Sequence, residues 1–314
     1  IGEILGGSFE SLRANPKAMF IPSLVVMTIL GLISALGTTY FFDRLGTSSL
    51  YSSPSQPDAA DLEKQWSSLF GLYAQSGVNS ILTMFASSIL TGLLIVTVSR
   101  TILGRKASLS DVWQRTKPRV WALIGQAVII QLVFTAVLAA AIGVFFAFFF
   151  GLRIPDVDSA SPDDAVGTIL LTILGLFLLV ALVGLGIFAL YCKLSLAPAA
   201  LILENVGVFE GISRSWALTR GYFWRVVGIQ ILSLLIMSLA SAIVTTPISM
   251  LSAGVFAAAA PSARILALGV SVLLGNIVTA ATLPFDSAVN ALIYTDLRMR
   301  SEGLDVELRR AAGV

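Results

Sequence analysis

Six hydrophobic stretches alternate with polar segments along this chain, and its basic residues gather on every second polar segment. A bilayer core about 30 Å thick takes roughly 20 apolar residues at ~1.5 Å of rise each. Stretches that meet this length run from Ala18 to Tyr40, Val78 to Thr97, Val120 to Phe150, Val166 to Leu190, Phe223 to Ile248 and Ile265 to Tyr294. The pattern predicts an all-α integral membrane protein with six transmembrane helices. Composition agrees, because 56% hydrophobic and 12% charged residues, with a mean hydropathy of +0.90, lie far from the roughly 25% charge of soluble domains.

Positively charged segments resist translocation, so the loops set the orientation. Arg13, Lys17, Arg100, Arg105, Lys106, Arg115, Lys117, Arg119, Lys193, Arg214, Arg220, Arg225, Arg298, Arg300, Arg309 and Arg310 fall on one side. The other side keeps Arg44, Lys64, Arg153 and Arg264 and collects Asp43, Asp58, Asp61, Glu63, Asp156, Asp158, Asp163 and Asp164. The crowded basic side is therefore expected in the cytoplasm of a plasma membrane, with both termini inside. The first residue is not Met, so residues are expected to precede it, and the first apolar stretch lacks the small-residue cleavage pattern of a secretory signal.

The first outer loop, from Phe41 to Ser76, has a Ser/Pro-rich tip and then a helix capped by Asp58, with Leu62, Trp66, Leu69 and Tyr73 on one face. That helix is expected to lie along the outer interface and lead into the second crossing. The second outer loop, Gly151 to Asp164, reads as turn chemistry around Pro155 and Pro162.

Several chemistries are excluded by counting. The chain has no His, which removes the usual general base, the Ser-His and Cys-His dyads and the commonest zinc and haem ligand. Its single Cys, Cys192, rules out an internal disulfide or a multi-thiolate metal site. No phosphate-binding loop, dinucleotide fingerprint or metal cluster stands out. Lys193 beside Ser195 sits at an inner boundary, where a cation is expected without any Ser-Lys chemistry. No enzyme activity, cofactor or nucleic-acid partner is expected.

An internal repeat comes next. A polar-aromatic segment precedes crossings one, three and five, and the copies align: Leu12, Trp113 and Trp216, followed eight positions later by Phe20, Trp121 and Trp224. Between them a helix breaker stands beside a cation, as Pro16 with Lys17, Lys117 with Pro118, and Arg220 with Gly221. The copies lie about one hundred residues apart. The expected architecture is three tandem parallel hairpin repeats, residues 1–100, 101–204 and 205–300, with a cytoplasmic tail at 301–314, all in a single membrane domain. Each hairpin is preceded by a cytoplasmic interfacial amphipathic helix, and equal orientation makes the symmetry axis run along the membrane normal. Arg214, Arg220, Arg225, Arg115 and Lys117, with Trp113, Trp121, Trp216 and Trp224, are candidate contacts for anionic lipid headgroups. The alternative is positive-inside topology with aromatic anchoring. The apolar run from Leu194 to Leu203 either continues the fourth crossing or lies at the interface.

The run Ser195 to Gly228, the entry Ile1 to Lys17 and the exit Leu292 to Leu308 resemble an actinobacterial multi-pass membrane family labelled glycerophosphoryl diester phosphodiesterase membrane domain. The resemblance implies a bacterial membrane protein. It does not carry the phosphodiesterase activity, which in that family belongs to a separate soluble barrel with histidines and metal-binding carboxylates.

Polar groups inside the apolar spans supply the remaining functional signal, because a charge at the bilayer centre must be compensated. Crossing six holds Asn276, Pro284, Asp286, Asn290 and Tyr294, and the last three share a helix face at four-residue spacing. This stripe either lines a cavity or belongs to a structural ion pair, with Asp286 beside Arg298 or a cation of another repeat. Pro284-Phe285-Asp286 also matches the start of the Pro-x-Asp element of mitochondrial carriers, but Val289 stands where that motif is basic and the other copies lack it. That kinship is rejected. Gln126, Gln131 and Gln230 read as interhelical hydrogen-bond groups or headgroup contacts, and Gly31 to Ala35 and Ala139 to Gly143 as helix packing sites. The leading expectation is a non-enzymatic module that organises membrane lipids or partner proteins, another envelope protein or a second copy of itself. The alternative is a transporter or channel with a cavity lined by the sixth helix, suited to a lipid or lipid-linked substrate.

Overall fold

The computed structural model describes residues 2–45, 59–102, 109–151, 162–258 and 261–302, and every element among them is helical. The elements are α1 (Gly2–Ala14), α2 (Pro16–Leu45), α3 (Ala59–Ile102), α4 (Leu109–Thr116), a 3-10 turn (Lys117–Arg119), α5 (Val120–Gly151), α6 (Pro162–Leu194), α7 (Ala197–Leu203), α8 (Val208–Gly221), α9 (Phe223–Ala258) and α10 (Pro261–Glu302). Six of these helices, α2, α3, α5, α6, α9 and α10, are long and apolar enough to cross a membrane. The protein is thus a multi-pass membrane protein in its helix content and composition.

Short helices lead into long ones where the chain cannot continue straight. α1 breaks at Asn15 before Pro16, α4 at the Lys117-Pro118-Arg119 turn, and α8 at Tyr222. Proline costs an intrahelical hydrogen bond and is tolerated best in a first turn. Pro16 and Pro162 open their helices, whereas Pro22, Pro247 and Pro284 lie within helices that continue through them.

Contacts follow the chain around a closed course. α2 touches α3, α3 touches α5, α5 touches α6, α6 touches α9, α9 touches α10, and α10 returns to α2 in the most extensive packing of the molecule. α3 and α10 also meet. At one end, Asn15 Nδ2 donates to Thr101 Oγ1 at 2.9 Å and Arg225 pairs with Asp296; this is the basic end. The α2/α10 crossing is close because it is built on glycine. A Cβ at Gly31 would stand 3.0 Å from both Asn276 Cβ and Leu273 Cδ1, and one at Gly269 would stand 2.7 Å from Thr39 Cγ2. The Gly31 to Ala35 spacing is therefore a packing site, as small residues allow in membrane helices. Gly143 is different: a Cβ there would meet nothing within 4 Å, and Ala139 is exposed. Small spacing on α5 does not make a contact, because no described helix faces it.

The core sits toward the basic end. Leu94, Val98, Cys192, Leu196, Ala200, Ile229, Val289, Tyr294 and Leu297 are all fully buried there. Away from it α5 and α6 expose almost everything, with Phe177, Leu182 and Leu185 about two-thirds or more uncovered. Such a surface is solvated by lipid tails and not by water.

Two expectations are corrected. The helix after the first outer loop does not lie flat as a separate interfacial segment; α3 runs unbroken for 44 residues from Ala59, about 66 Å at ~1.5 Å per residue. Gly71 and Gly77 are too weak to break it. Trp66 and Tyr73 are exposed on its extension, while Asp58 falls outside the described residues, as does most of the second outer loop. The run Leu194 to Leu203 does not extend α6 as one straight helix. It turns at Ser195 and folds inward as α7, with Ala197, Ala199, Ala200 and Leu201 completely buried against α3, α5, α8 and α10.

Candidate functional site

α7 forms the floor of a cleft of about 270 Å³ between α3, α5, α6 and α10. Asp286 and Asn290 enter it from α10, one helical turn apart, and Asn290 Nδ2 donates to Asp286 Oδ2 at 3.3 Å. Gln126 enters from α5 and donates to the carbonyl of Ala197 on α7 at 3.1 Å. Ser88 of α3 donates to the carbonyl of Leu123 on α5 at 3.0 Å. Ser87, Thr91, Gln131, Tyr191 and Ser195 add to the polar part of the lining, and Met84, Ile130 and Phe134 are among its apolar walls. Behind the cleft, Gln230 of α9 donates to Asn290 Oδ1 at 2.7 Å and to Ser195 Oγ at 3.2 Å, tying α9, α10 and the start of α7 together. Gln126 and Gln230 are thus interhelical hydrogen-bond groups, and Gln131 lines the cleft. A second groove of about 450 Å³ lies against α2 and α3 and has no polar lining, with Ile21, Leu90 and Trp113 among its walls.

Below the floor, at the basic end, Glu204 terminates α7 and gathers three partners. Arg214 of α8 grips it with a two-pronged contact, Nε to Oε2 at 2.8 Å and Nη2 to Oε1 at 3.2 Å, the strong geometry for guanidinium and carboxylate. Tyr294 donates to it from α10, and Arg298 stands 3.2 Å away. Glu302 closes the network with Arg214 and Arg298. Burial alone would raise the Glu204 carboxyl, but hydrogen bonds from Arg214 and Tyr294, with the charges of Arg214 and Arg298, outweigh it and hold the group below its ordinary range. Its hydrogen bond to Glu204 correspondingly raises Arg214.

The stripe of crossing six is therefore divided. Asp286 and Asn290 face the cleft, Tyr294 joins the Glu204 network, and Asn276 turns away toward Gly31 of α2, donating to the carbonyl of Val272 on its own helix at 2.9 Å. The expected pairing of Asp286 with Arg298 is not formed, and among the described residues Asp286 has no ion pair. Arg298 lies twelve residues further along α10, about 18 Å at ~1.5 Å per residue, and Glu204 holds it there.

Of the residues considered for headgroup contact, Arg214 is committed to Glu204 and Glu302, and Arg225 to Asp296 at 3.0 Å. Arg115, Lys117 and Arg220 are exposed. Trp121 and Trp224 are 82% exposed, whereas Trp113 and Trp216 are half-covered. Lys193 lies 3.9 Å over the Trp216 ring, a cation–π contact that leaves no Ser-Lys pair with Ser195. Glu204 and Arg119 are missed by the sequence. Arg119 donates to the carbonyls of Asn205 at 2.8 Å and Val206 at 3.3 Å, and nothing in the spacing of Glu204 or Arg119 marks either contact.

Among the described residues no group of His, Cys, Asp or Glu is arranged to hold a metal ion. No curated protein and no solved structure matches the chain. A family model described as a domain of unknown function matches residues 1–297, so the whole cleft and, of the Glu204 network, Glu204, Arg214 and Tyr294 lie inside the matched region, and the chain belongs to that family, DUF7847.

Proposed function

We propose that this protein is a non-enzymatic, lipid-handling module of a bacterial plasma membrane, whose cleft holds the polar end of an amphiphile while its tail lies along the exposed apolar faces of α5 and α6. One observation carries this reading: a polar pocket floored by α7 sits within helices whose remaining surface is apolar and uncovered. The volume, about 270 Å³, is just under the ~300 Å³ of the smallest ordinary ligand pockets. A headgroup fits there and a whole lipid does not.

In this reading the chain is built from three like-facing repeats with both termini cytoplasmic. The recurrence of a short helix, a break and a long helix at α1/α2, α4/α5 and α8/α9 supports it, as does the alignment of Trp113 with Trp216 and of Trp121 with Trp224. The resemblance to the membrane part of a glycerophosphoryl diester phosphodiesterase family fits the same reading without its hydrolase.

The test is lipid retention. Protein purified into nanodiscs is expected to retain an amphiphile that mass spectrometry identifies, and Ala127→Trp, which fills the cleft from α5, should reduce that retention about tenfold, or ~1.4 kcal/mol. Retention equal to the bulk lipid ratio in both proteins would sink the proposal. A transporter is the second reading, favoured by α7 closing the cleft at the basic end through Glu204. If it holds, Glu204→Gln changes lipid flux in proteoliposomes; a pure binding module leaves flux at background in both.

A further inference from the structure

Resting on that reading, the chemistry of the cleft narrows the headgroup it accepts. The serine donors of the cleft are already spent within the protein. Ser87 and Ser88 give their hydroxyl protons to the carbonyls of Met84 and Leu123 at 3.1 and 3.0 Å. Ser195 gives its own to the carbonyl of Cys192 at 3.1 Å and accepts from Gln230. The oxygens of these hydroxyls therefore face the cleft as acceptors. Gln126 is 1% exposed; its amide nitrogen is engaged by Ala197, and its Oε1 is buried without a partner. A buried acceptor left unsatisfied is costly and marks a place where a donor belongs.

Asp286 adds charge to this acceptor surface. Its contact is one amide hydrogen bond from Asn290, and the cations that could neutralise it are engaged elsewhere. Arg214 and Arg298 are held by Glu204 and Glu302, Arg225 by Asp296, and Lys193 by the Trp216 ring. A carboxylate in apolar surroundings needs a counter-charge, and among the described residues no cation pairs with Asp286.

We infer that the cleft takes an amphiphile bearing a primary ammonium headgroup, with Asp286 as its counter-charge and Gln126 Oε1 and the serine oxygens as acceptors for its N–H groups. An anionic headgroup meets repulsion from Asp286. A quaternary ammonium brings the charge without N–H donors and leaves Gln126 Oε1 unsatisfied. A neutral alcohol supplies one donor and no charge.

Single-chain probes test this with the full chain in dodecyl maltoside: dodecylamine, dodecyltrimethylammonium, dodecanol and dodecyl sulfate, counting as cleft binding only what Ala127→Trp removes. Wild-type protein is expected to bind dodecylamine at least tenfold tighter than the other three. Asp286→Asn should erase that preference while keeping dodecanol binding, and Asp286→Glu should restore it, with size-exclusion profiles confirming that each variant is folded. Equal cleft binding of dodecylamine and dodecanol overturns the ammonium inference and leaves the amphiphile reading standing, as does tighter binding of dodecyl sulfate or of dodecyltrimethylammonium. Absence of cleft binding by every probe overturns both.

Discussion

Glu204 is the residue on which α7, α8 and α10 converge, through Arg214, Tyr294 and Arg298. Its side chain is 12% exposed, against 35% for Arg214 and 25% for Arg298, so the pair falls between two regimes. Exposed ion pairs are worth about 0–1 kcal/mol, and breaking a buried one costs about 3–5 kcal/mol. We expect Glu204→Gln to cost roughly 2 kcal/mol, with the two cations left facing a neutral amide. Because the folded carboxyl titrates below its ordinary value of 4.5, its contribution is complete above that value and is lost as pH falls through the lowered folded one. Unfolding midpoints in detergent, followed from neutral pH down through the carboxylate range, should therefore drop more steeply for the wild type than for Glu204→Gln. Parallel curves would show that Glu204 does not hold the network. The nearby small residues act by size: Gly211 of α8 sits where a Cβ would be 2.8 Å from Gln126 Nε2 and 3.4 Å from the Ala197 carbonyl, so α8 reaches α7 only because no side chain intervenes.

Among the elements, the long spans were legible in the sequence and α7 was not. Six apolar runs of bilayer length leave little choice of structure, since every backbone polar group must be satisfied within its own helix. The inward fold of α7 has no such signature. Ala197-Pro198-Ala199-Ala200-Leu201 reads equally as a helix extension or an interfacial segment, and its burial comes from packing by α3, α5, α8 and α10. Half of the cleft was visible for the same reason. Asp286 and Asn290 share a face by their spacing, whereas the contributions of Gln126, Ser88 and Ser195 arise only when separate helices meet. The Glu204 network was hidden because its partners lie 10 and 90 residues away along the chain. The α7–α8 connection offers a test at this scale. Asn205 holds a φ of 60°, a left-handed conformation that Asn tolerates better than most residues, and Arg119 clamps the carbonyls of Asn205 and Val206 from the 3-10 turn before α5. In Arg119→Ala, amide hydrogen exchange should quicken from Glu204 to Gly207 while the α9 segment around Gln230 keeps its protection. Unchanged exchange in the connection would mean that Glu204 alone fixes it.

For the whole molecule, the decisive fact is where the apolar surface goes. α5 and α6 leave Leu132, Phe146, Phe177 and Leu185 uncovered, and α2 does the same with Leu36, so the fold requires lipid as its solvent along the spans. On the proposed reading, the even number of crossings sends both ends to the same face, and the basic end puts that face in the cytoplasm. Cysteine labelling in a Cys192→Ser background tests this directly, because the native thiol is completely buried and its conservative loss should leave the fold in place. Arg13, Ser301 and Glu63 are all exposed, the first two at the basic end and the third at the start of α3. With a membrane-impermeant maleimide on intact cells, Glu63→Cys should label, whereas Arg13→Cys and Ser301→Cys should label only after permeabilisation. Labelling of Arg13→Cys and Ser301→Cys from opposite faces would break the six-span topology. Labelling of both from outside, with Glu63→Cys protected, would keep the topology and invert the molecule, moving the Glu204 network to the outer face and opening the cleft toward the opposite leaflet.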